Sequence, residues 1–296
     1  MQIKRREFLK KSLVVGGMVA VGPSLHAQPK TFDPYEQIPL GKTKLKVSRL
    51  CLGTGMKGWK RESNHTRLGR EKFEALIRGA YDRGICVFDL ADLYGTHSYV
   101  VSALKGIPRD KYVIITKIWW RPDGLPETER PDADVLVPRF LKELNTDYID
   151  VLLLHCCTSG KWPEELRKQM DLLSKFKKEG IIRAHGISCH SLEALDAAAD
   201  EPWVETINVR INPYGVKMDG PPEKVVPILK RIHDAGKGVV GMKLIGEGKF
   251  RDDDEKRNES VRFVLGLGSV DVLDVGFEKL EEIDDFAKRV RKVSRV

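Results

Sequence analysis

FDLADLYG (88–95) is the stretch whose reading decides the fold. It opens as a short apolar strand, reaches Asp89, and sets Tyr94 five residues further on, in a turn closed by Gly95. Two later runs share the form. YVIITKI (112–118) carries Lys117 near its end, and YIDVLLLHC (148–156) carries His155. Short apolar runs bounded by turn signals read as buried strands. Each of the three brings a proton-active side chain to its C-terminal end.

Outward from these runs the chain alternates strand and helix. IPLGKTKLKVS (38–48) reads as a small β-hairpin around Gly41, expected to act as an N-terminal plug. LCLGT (50–54) is the first strand. REKFEALIRGAYDRG (70–84) is a helix, with Phe73, Leu76, Ile77, Ala80 and Tyr81 at helical spacing and Gly84 at its end. VFDLA (87–91) is the second strand, 96–105 a helix, YVIITKI the third strand and YIDVLLLHC the fourth. Pro163 then suits a first helical turn, and Leu166, Met170, Leu173 and Phe176 form one stripe that stops at Gly180. IIRAHGIS (181–188), TINVRIN (206–212), VVGMKLI (239–245) and VDVLDVG (270–276) supply the fifth to eighth strands. A last helix carries Leu280, Ile283, Phe286, Val290 and Val293 on its buried side. Eight strand–helix units in about 250 residues have the size and rhythm of an α/β fold of the (β/α)8 TIM barrel kind. A doubly wound sheet is the rival, but no G-x-G-x-x-G follows the first strand. In a barrel the loops after the strands open on one face, and neighbouring strands lie about 5 Å apart. Asp89, Tyr94, Lys117 and His155 can therefore converge. A carboxylate, a phenol, an ammonium and an imidazole at one rim make a proton-donating device suited to reducing a carbonyl.

Bulk properties narrow the alternatives. The 296 residues carry a formal charge of +8, but residues 1–27 hold five basic residues and one acidic residue. The remainder has 46 Lys and Arg against 42 Asp and Glu, alternating along helical segments as on a solvated face. No basic stripe with interleaved aromatics appears, so nucleic acid is not an expected partner. Past the first few dozen residues no stretch is long and apolar enough to span a bilayer. KRREFLK (4–10), the apolar SLVVGGMVAVG (12–22), Pro23 and a small-residue region ending at Ala27 have the three parts of an export signal. Arg5-Arg6 with Phe8, Leu9 and Lys10 resembles a twin-arginine signal, so the twin-arginine machinery is an expected partner and the periplasm, or another exported location, the expected destination. The domain plan is then signal 1–27, linker 28–37 and barrel 38–296. Cys51, Cys86, Cys156, Cys157 and Cys189 lie mostly in apolar runs and read as buried hydrophobes rather than a disulfide framework. His155 and Cys157 are expected to share a strand face, but no second pair at ligand spacing supports them, so no metal site is expected.

On these residues the chain resembles the aldo-keto reductases. The resemblance rests on the ordered tetrad, on LGTG (52–55), TDYIDVLLLH (146–155), HGIS (185–188) and GMKLIGEG (241–248), and covers essentially everything after the signal. It implies reduction of an aldehyde or ketone by hydride transfer from a nicotinamide cofactor, NADP or NAD, to a small-molecule carbonyl substrate. Tyr94 would donate the proton, His155 orient the carbonyl oxygen, Lys117 acidify Tyr94, and Asp89 hold Lys117. An ammonium about 4 Å away favours a phenolate by up to about 4 kcal/mol at an effective dielectric of about 20, roughly three pKa units.

For the cofactor, the resemblance implies backbone approach at Gly53 and Thr54, carboxamide contacts from Ser188 and Asn208, and a pyrophosphate contact from Lys243. Cys189 stands where Asn is usual, and Met242 where a stacking tyrosine is usual. After the eighth strand GFEKLEEIDD (276–285) offers only Lys279 among several acids, so Glu281 and Glu282 are expected to repel a ribose 2′-phosphate. These departures keep open a catalytically weak, dinucleotide-binding or redox-sensing protein. Loop RPDGLPETERPDA (121–133) lies on the reactive rim, whereas RDDDEKRNE (251–259) is expected as a solvated connection. Trp59, Trp119, Trp120 and Trp162 are candidates for an aromatic wall around the substrate.

Overall fold

Alternation along the strands sorts the apolar side chains into two layers, and that sorting closes the fold. In the computed structural model, which describes residues 30–295, the first expected strands form a hairpin of β1 (Gln37–Pro39) and β2 (Lys46–Ser48). The export segment expected at 1–27 lies outside the described residues. The eight expected barrel strands follow as β3 (Leu50–Gly53), β4 (Val87–Asp89), β5 (Val113–Ile118), β6 (Ile149–Cys157), β7 (Ile182–Cys189), β8 (Thr206–Arg210), β9 (Gly238–Met242) and β10 (Val272–Val275). Each pairs parallel with the next, and β10 returns to β3 with Leu273 opposite Leu50, so the ring is closed. Helices separate the strands, as a parallel sheet requires.

Within β5, Val113 and Ile115 point into the barrel, where they meet Val87, Val151, Leu153, Ala184, Val240 and Val272. Ile114 and Ile118 point outward against the helices. The hairpin fills the bottom of the interior: Leu40, Leu45 and Val47 belong to the same inner cluster. It is pinned there by Lys42 N–H donating to the Gly236 carbonyl at 2.8 Å. Gly41 at its turn has φ +50°, and a side chain there would run into the backbone of residues 236–238. With the bottom plugged, the inward positions two residues further along β4, β5 and β6 are Asp89, Lys117 and His155. The strand period of two thus carries the polar groups to the open end.

Helix Arg70–Asp82 buries Phe73, Leu76, Ile77 and Ala80, as its spacing predicts. The stripe from Pro163 to Phe176 is interrupted, because Leu166 leaves helical geometry (φ −108°, ψ 16°) between a short helix Trp162–Glu165 and a longer one, Arg167–Lys178. Trp162 is fully buried under the helices and donates to the Ala194 carbonyl at 3.2 Å, so it takes no part in an aromatic wall at the rim. Residues 251–259 are not a plain connection. They include the start of helix Asp254–Gly266, capped by the Asp253 side chain accepting from Lys256 N–H. The described part of 28–37 lies along the C-terminal end of the chain, with Phe32 N–H donating to the Val293 carbonyl at 3.1 Å and Arg295 N–H to Lys30 at 2.7 Å. No helix among the described residues is long and apolar enough to cross a membrane.

Leu45 is 1% exposed inside the plug. Leu45→Ala should lower stability by about 2–5 kcal/mol, read as a shifted urea midpoint with an unchanged slope. A wild-type midpoint would show that the hairpin contributes nothing to the inner core.

Candidate active site

The site is assembled by the ends of β4, β5 and β6. Past Asp89 the chain makes a single 3-10 turn, Asp92–Tyr94, which ends on Gly95 at φ +65°. A Cβ at Gly95 would overlap the Arg61 backbone carbonyl, so this close approach requires glycine. Asp92 anchors the turn by accepting from Arg61 Nε at 2.9 Å and from Arg139 at 2.5 Å. The Tyr94 ring then lies against Gly55 and Gly58, where any side chain would overlap it. Thr54 fastens the end of β3 to the same place, its backbone N–H and its hydroxyl both donating to the Asp89 carbonyl, at 3.0 and 2.7 Å.

Lys117 is 1% exposed. Its ammonium is paired with the Asp89 carboxylate and donates to the Leu90 carbonyl at 2.9 Å. His155 is aimed by an irregularity at the end of β6. Pairing with β7 shifts between Leu154 and Cys157, and Cys156 takes a left-handed φ of +60°. Bulges of this kind redirect side chains beside active sites. His155 Nε2 comes to 3.2 Å from the Tyr94 hydroxyl, and the Trp119 ring stands edge-on to the imidazole at 5.1 Å between centroids. Trp120 Nε1 donates to the His155 carbonyl at 2.6 Å. The shift also turns Cys157 into the layer between sheet and helices, so His155 and Cys157 do not share a face as expected. Trp59 meets Trp119 edge-to-face at 6.1 Å, leaving three of the four tryptophans near the rim.

The electrostatics differ from expectation. Burial, then the charges of Asp89 and Asp274, push the Tyr94 phenol well above its ordinary value. The expected acidification by Lys117 is absent: its ammonium lies 5.1 Å from the ring centroid and is matched by Asp89. His155 is pushed well below the ordinary imidazole value by burial, then by the charge of Lys117, with smaller contributions from His190 and Lys243. Tyr94 is therefore a neutral hydroxyl and His155 a neutral imidazole.

Beside this group a cleft is lined by Gly53, Thr54, Met242 and Lys243, together with Asp89, Tyr94, Lys117 and Asp274. It continues past Met56, Ile245 and Gly276 into a wider groove. Asn208 donates from Nδ2 to Asp89, and its Oδ1 is buried without a partner among the described residues. Ser188 is buried, its hydroxyl 3.3 Å from His190 Nε2. Cys189 does not join them, because its side chain packs in the outer layer with Cys157. His190 takes the rim position instead, 6.1 Å from His155, its pKa pushed down to about 3 by burial and by Arg210, Lys243, Lys117 and Arg121. Only its place directly after the fifth strand could have marked it in the sequence. Asp274 was also missed, though an acid inside VDVLDVG repeats the pattern of Asp89. Lys243, with φ +64°, is held by Glu247 at 2.8 Å.

In the groove the missing basic residues come from the preceding segment. Arg251 reaches Glu278 at 2.8 Å and Glu282 at 2.5 Å, and Arg257 reaches Asp285 at 2.9 Å. Glu282 thus binds an arginine instead of standing as a bare repelling charge. A long cleft with glycine walls, cations along its length, a buried acceptor at Asp274 and another at Asn208 behind Asp89 fits a nicotinamide dinucleotide. Among the described residues no group of three potential ligands could hold a metal.

Residues 49–294 match the Aldo/keto reductase family. The chain is similar to an aldo-keto reductase of Alternaria alternata, 28% identical over 259 residues that cover 77% of this chain and 69% of that one. Its fold is similar to a putative aldo-keto reductase from Pseudomonas aeruginosa, with a TM-score of 0.71 at 23% identity over 90% of this chain and 97% of that one. It is also similar to an aldo/keto reductase from Klebsiella pneumoniae solved in complex with NADP and acetate, with a TM-score of 0.62 at 20% identity over 88% and 91%. The closed barrel, the buried Asp89–Lys117 pair beneath Tyr94 and His155, and a family match spanning the whole barrel agree: this chain belongs to the aldo/keto reductase family of oxidoreductases, whose cofactor is NADP or NAD.

Proposed function

We propose that the protein reduces an aldehyde or ketone to the alcohol, with Tyr94 as the proton donor. The observation that carries this reading is the 3.2 Å contact between the Tyr94 hydroxyl and the neutral His155 imidazole, at the edge of the cleft and above Lys117. When bound along that cleft, NADP or NAD in its reduced form supplies the hydride. Gly53, Thr54, Met242 and Lys243 line its path, and Asn208 Oδ1 is an acceptor suited to the carboxamide N–H.

Tyr94 donates its O–H to the carbonyl oxygen. As that oxygen becomes an alkoxide, a stronger base than a phenolate, the proton passes even from a phenol of high pKa. Its departure leaves a phenolate whose nearest cation is Lys117. His155 Nδ1 has no partner among the described residues, so the useful tautomer carries its proton on Nε2, where it donates to the Tyr94 oxygen or to the substrate oxygen. Asp89 and Asn208 hold Lys117 in register. Trp119 and Trp120 form the adjoining wall and exclude water. The paired Arg5-Arg6 and the apolar run after it support export through the twin-arginine machinery to the periplasm. A second reading, dinucleotide binding with little turnover, draws support from Met242 in place of a stacking ring and from Glu247 holding Lys243.

Tyr94→Phe should lower turnover with NADH or NADPH and a carbonyl panel by about 10²–10⁴-fold, with cofactor affinity near wild type. Unchanged turnover removes Tyr94 from the mechanism, and tight cofactor binding without wild-type turnover selects the second reading. Because burial depresses the His155 pKa, the imidazole stays neutral as pH falls through 6.5. The rate of reduction should therefore show no inflection near that pH, and one that vanishes in His155→Gln would contradict a neutral histidine. For export, cell fractionation should find the protein in the periplasm, and replacing Arg5 and Arg6 by lysines should retain it in the cytoplasm. Periplasmic accumulation of that double variant would refute the twin-arginine route.

A further inference from the structure

Asp274 has no role in the reaction as derived above, yet it stands inside the cleft. It faces the barrel interior from β10, opposite Cys51 of β3. The room for its carboxyl comes from Gly53, where a Cβ would overlap Oδ1 and lie 3.1 Å from Cγ. Oδ1 is buried and has no hydrogen-bond partner among the described residues. A buried polar atom without a partner is destabilising, so such an oxygen calls for an explanation.

Among the neighbours only the Cys51 thiol, a weak donor, hydrogen-bonds the carboxyl, and it leaves Oδ1 without a partner. Cys51 faces Asp274 from β3, Asp89 from β4, Lys117 from β5, Lys243 from the segment after β9, and Tyr94 from the turn after β4. Lys117 is paired with Asp89 and Lys243 with Glu247, so neither cation neutralises a second carboxylate. Burial and the charge of Asp89 push the Asp274 pKa up to about 8. A metal is disfavoured because Lys117 sits in the same layer and repels cations. A neutral carboxyl in the wall of the cleft, with one oxygen unsatisfied, can both donate and accept, and its natural partner is an uncharged hydroxyl.

We propose that Asp274 is a positioning residue for the nucleotide, its carboxyl exchanging hydrogen bonds with a sugar hydroxyl of the bound dinucleotide. This rests on the reading of the cleft as a dinucleotide site. Binding is then linked to protonation. Ionised Asp274 would place a second negative charge beside Asp89 and close to the nucleotide's phosphates, and it would lose its donor. Affinity is full below the Asp274 pKa and falls as pH rises through it. Burial pushes the thiol of Cys51 and the phenol of Tyr94 well above this window, leaving Asp274 as the group that titrates.

The test is equilibrium titration of the full-length protein with NADH and, separately, NADPH between pH 7 and pH 9. For a group titrating near 8, wild-type affinity should fall about tenfold across that range. Asp274→Asn keeps the shape and a donor but has no proton to lose, so its affinity should match wild type at pH 7 and stay flat to pH 9. A flat wild-type profile, or a variant that follows the wild-type profile, overturns the inference. A purely structural role would lower the variant's melting temperature and leave its pH profile like that of wild type. Should the variant not fold, calorimetry of wild type in buffers of different ionisation heat still decides, with uptake of about one proton per nucleotide expected at pH 9. No uptake overturns the proposal. Failure of wild type to bind either nucleotide at any pH would instead overturn the dinucleotide reading, and this inference with it.

Discussion

The buried ion pair of Lys117 with Asp89 is the interaction on which the rest of the site depends. Both groups are almost wholly removed from water, and each completes the other's hydrogen bonding with help from the Leu90 carbonyl and the Asn208 amide. A lone charge at this depth would be strongly destabilising, so loss of either partner leaves the other uncompensated. The pair also sets position. Asp89 ends β4 and accepts from Thr54 through its backbone, Lys117 comes from β5, and Asn208 from β8. One contact thus ties four strands at the mouth of the ring.

That matching of charge shapes the chemistry above it. Because Asp89 neutralises Lys117, Tyr94 experiences burial more than it experiences the ammonium, and its phenol stays protonated. His155 is likewise neutral, since a buried imidazolium beside Lys117 would be disfavoured twice. In the mechanism proposed above the site works by placement rather than by an unusually acidic group: a hydroxyl and an imidazole are held at hydrogen-bond distance, walled by Trp119 and by glycines that admit the tyrosine ring. The left-handed Cys156 shows how much local geometry serves this end, for the bulge it forms aims His155 inward and Cys157 outward.

The cofactor end follows the same logic of paired charges. Lys243 is held by Glu247, Arg251 by Glu278 and Glu282, and Arg257 by Asp285. A nucleotide entering this groove meets cations already engaged, and its phosphates compete with carboxylates for them. The groove is thus less strongly anion-attracting than a count of its basic residues suggests.

The sequence by itself determined the barrel and the order of the central groups. Strand alternation has a period of two, helices one near 3.6, and a ring of eight units places every strand end on one face, so Asp89, Tyr94, Lys117 and His155 were legible as neighbours from spacing alone. Only the tertiary structure decided what those neighbours do to one another. The direction of the Tyr94 shift is set by burial and then by Asp89, with Asp274 adding to it from the far end of the chain. Cys157 was misplaced because a bulge in β6 changes which side chains face inward, and no local pattern announces it, whereas Cys189 turns outward by plain strand alternation from the inward Ala184. His190, Asp274 and Arg251 escaped notice for a related reason. Their importance lies in what they approach through space, and electrostatic energy depends on distance and desolvation, which closing the ring sets and linear order does not.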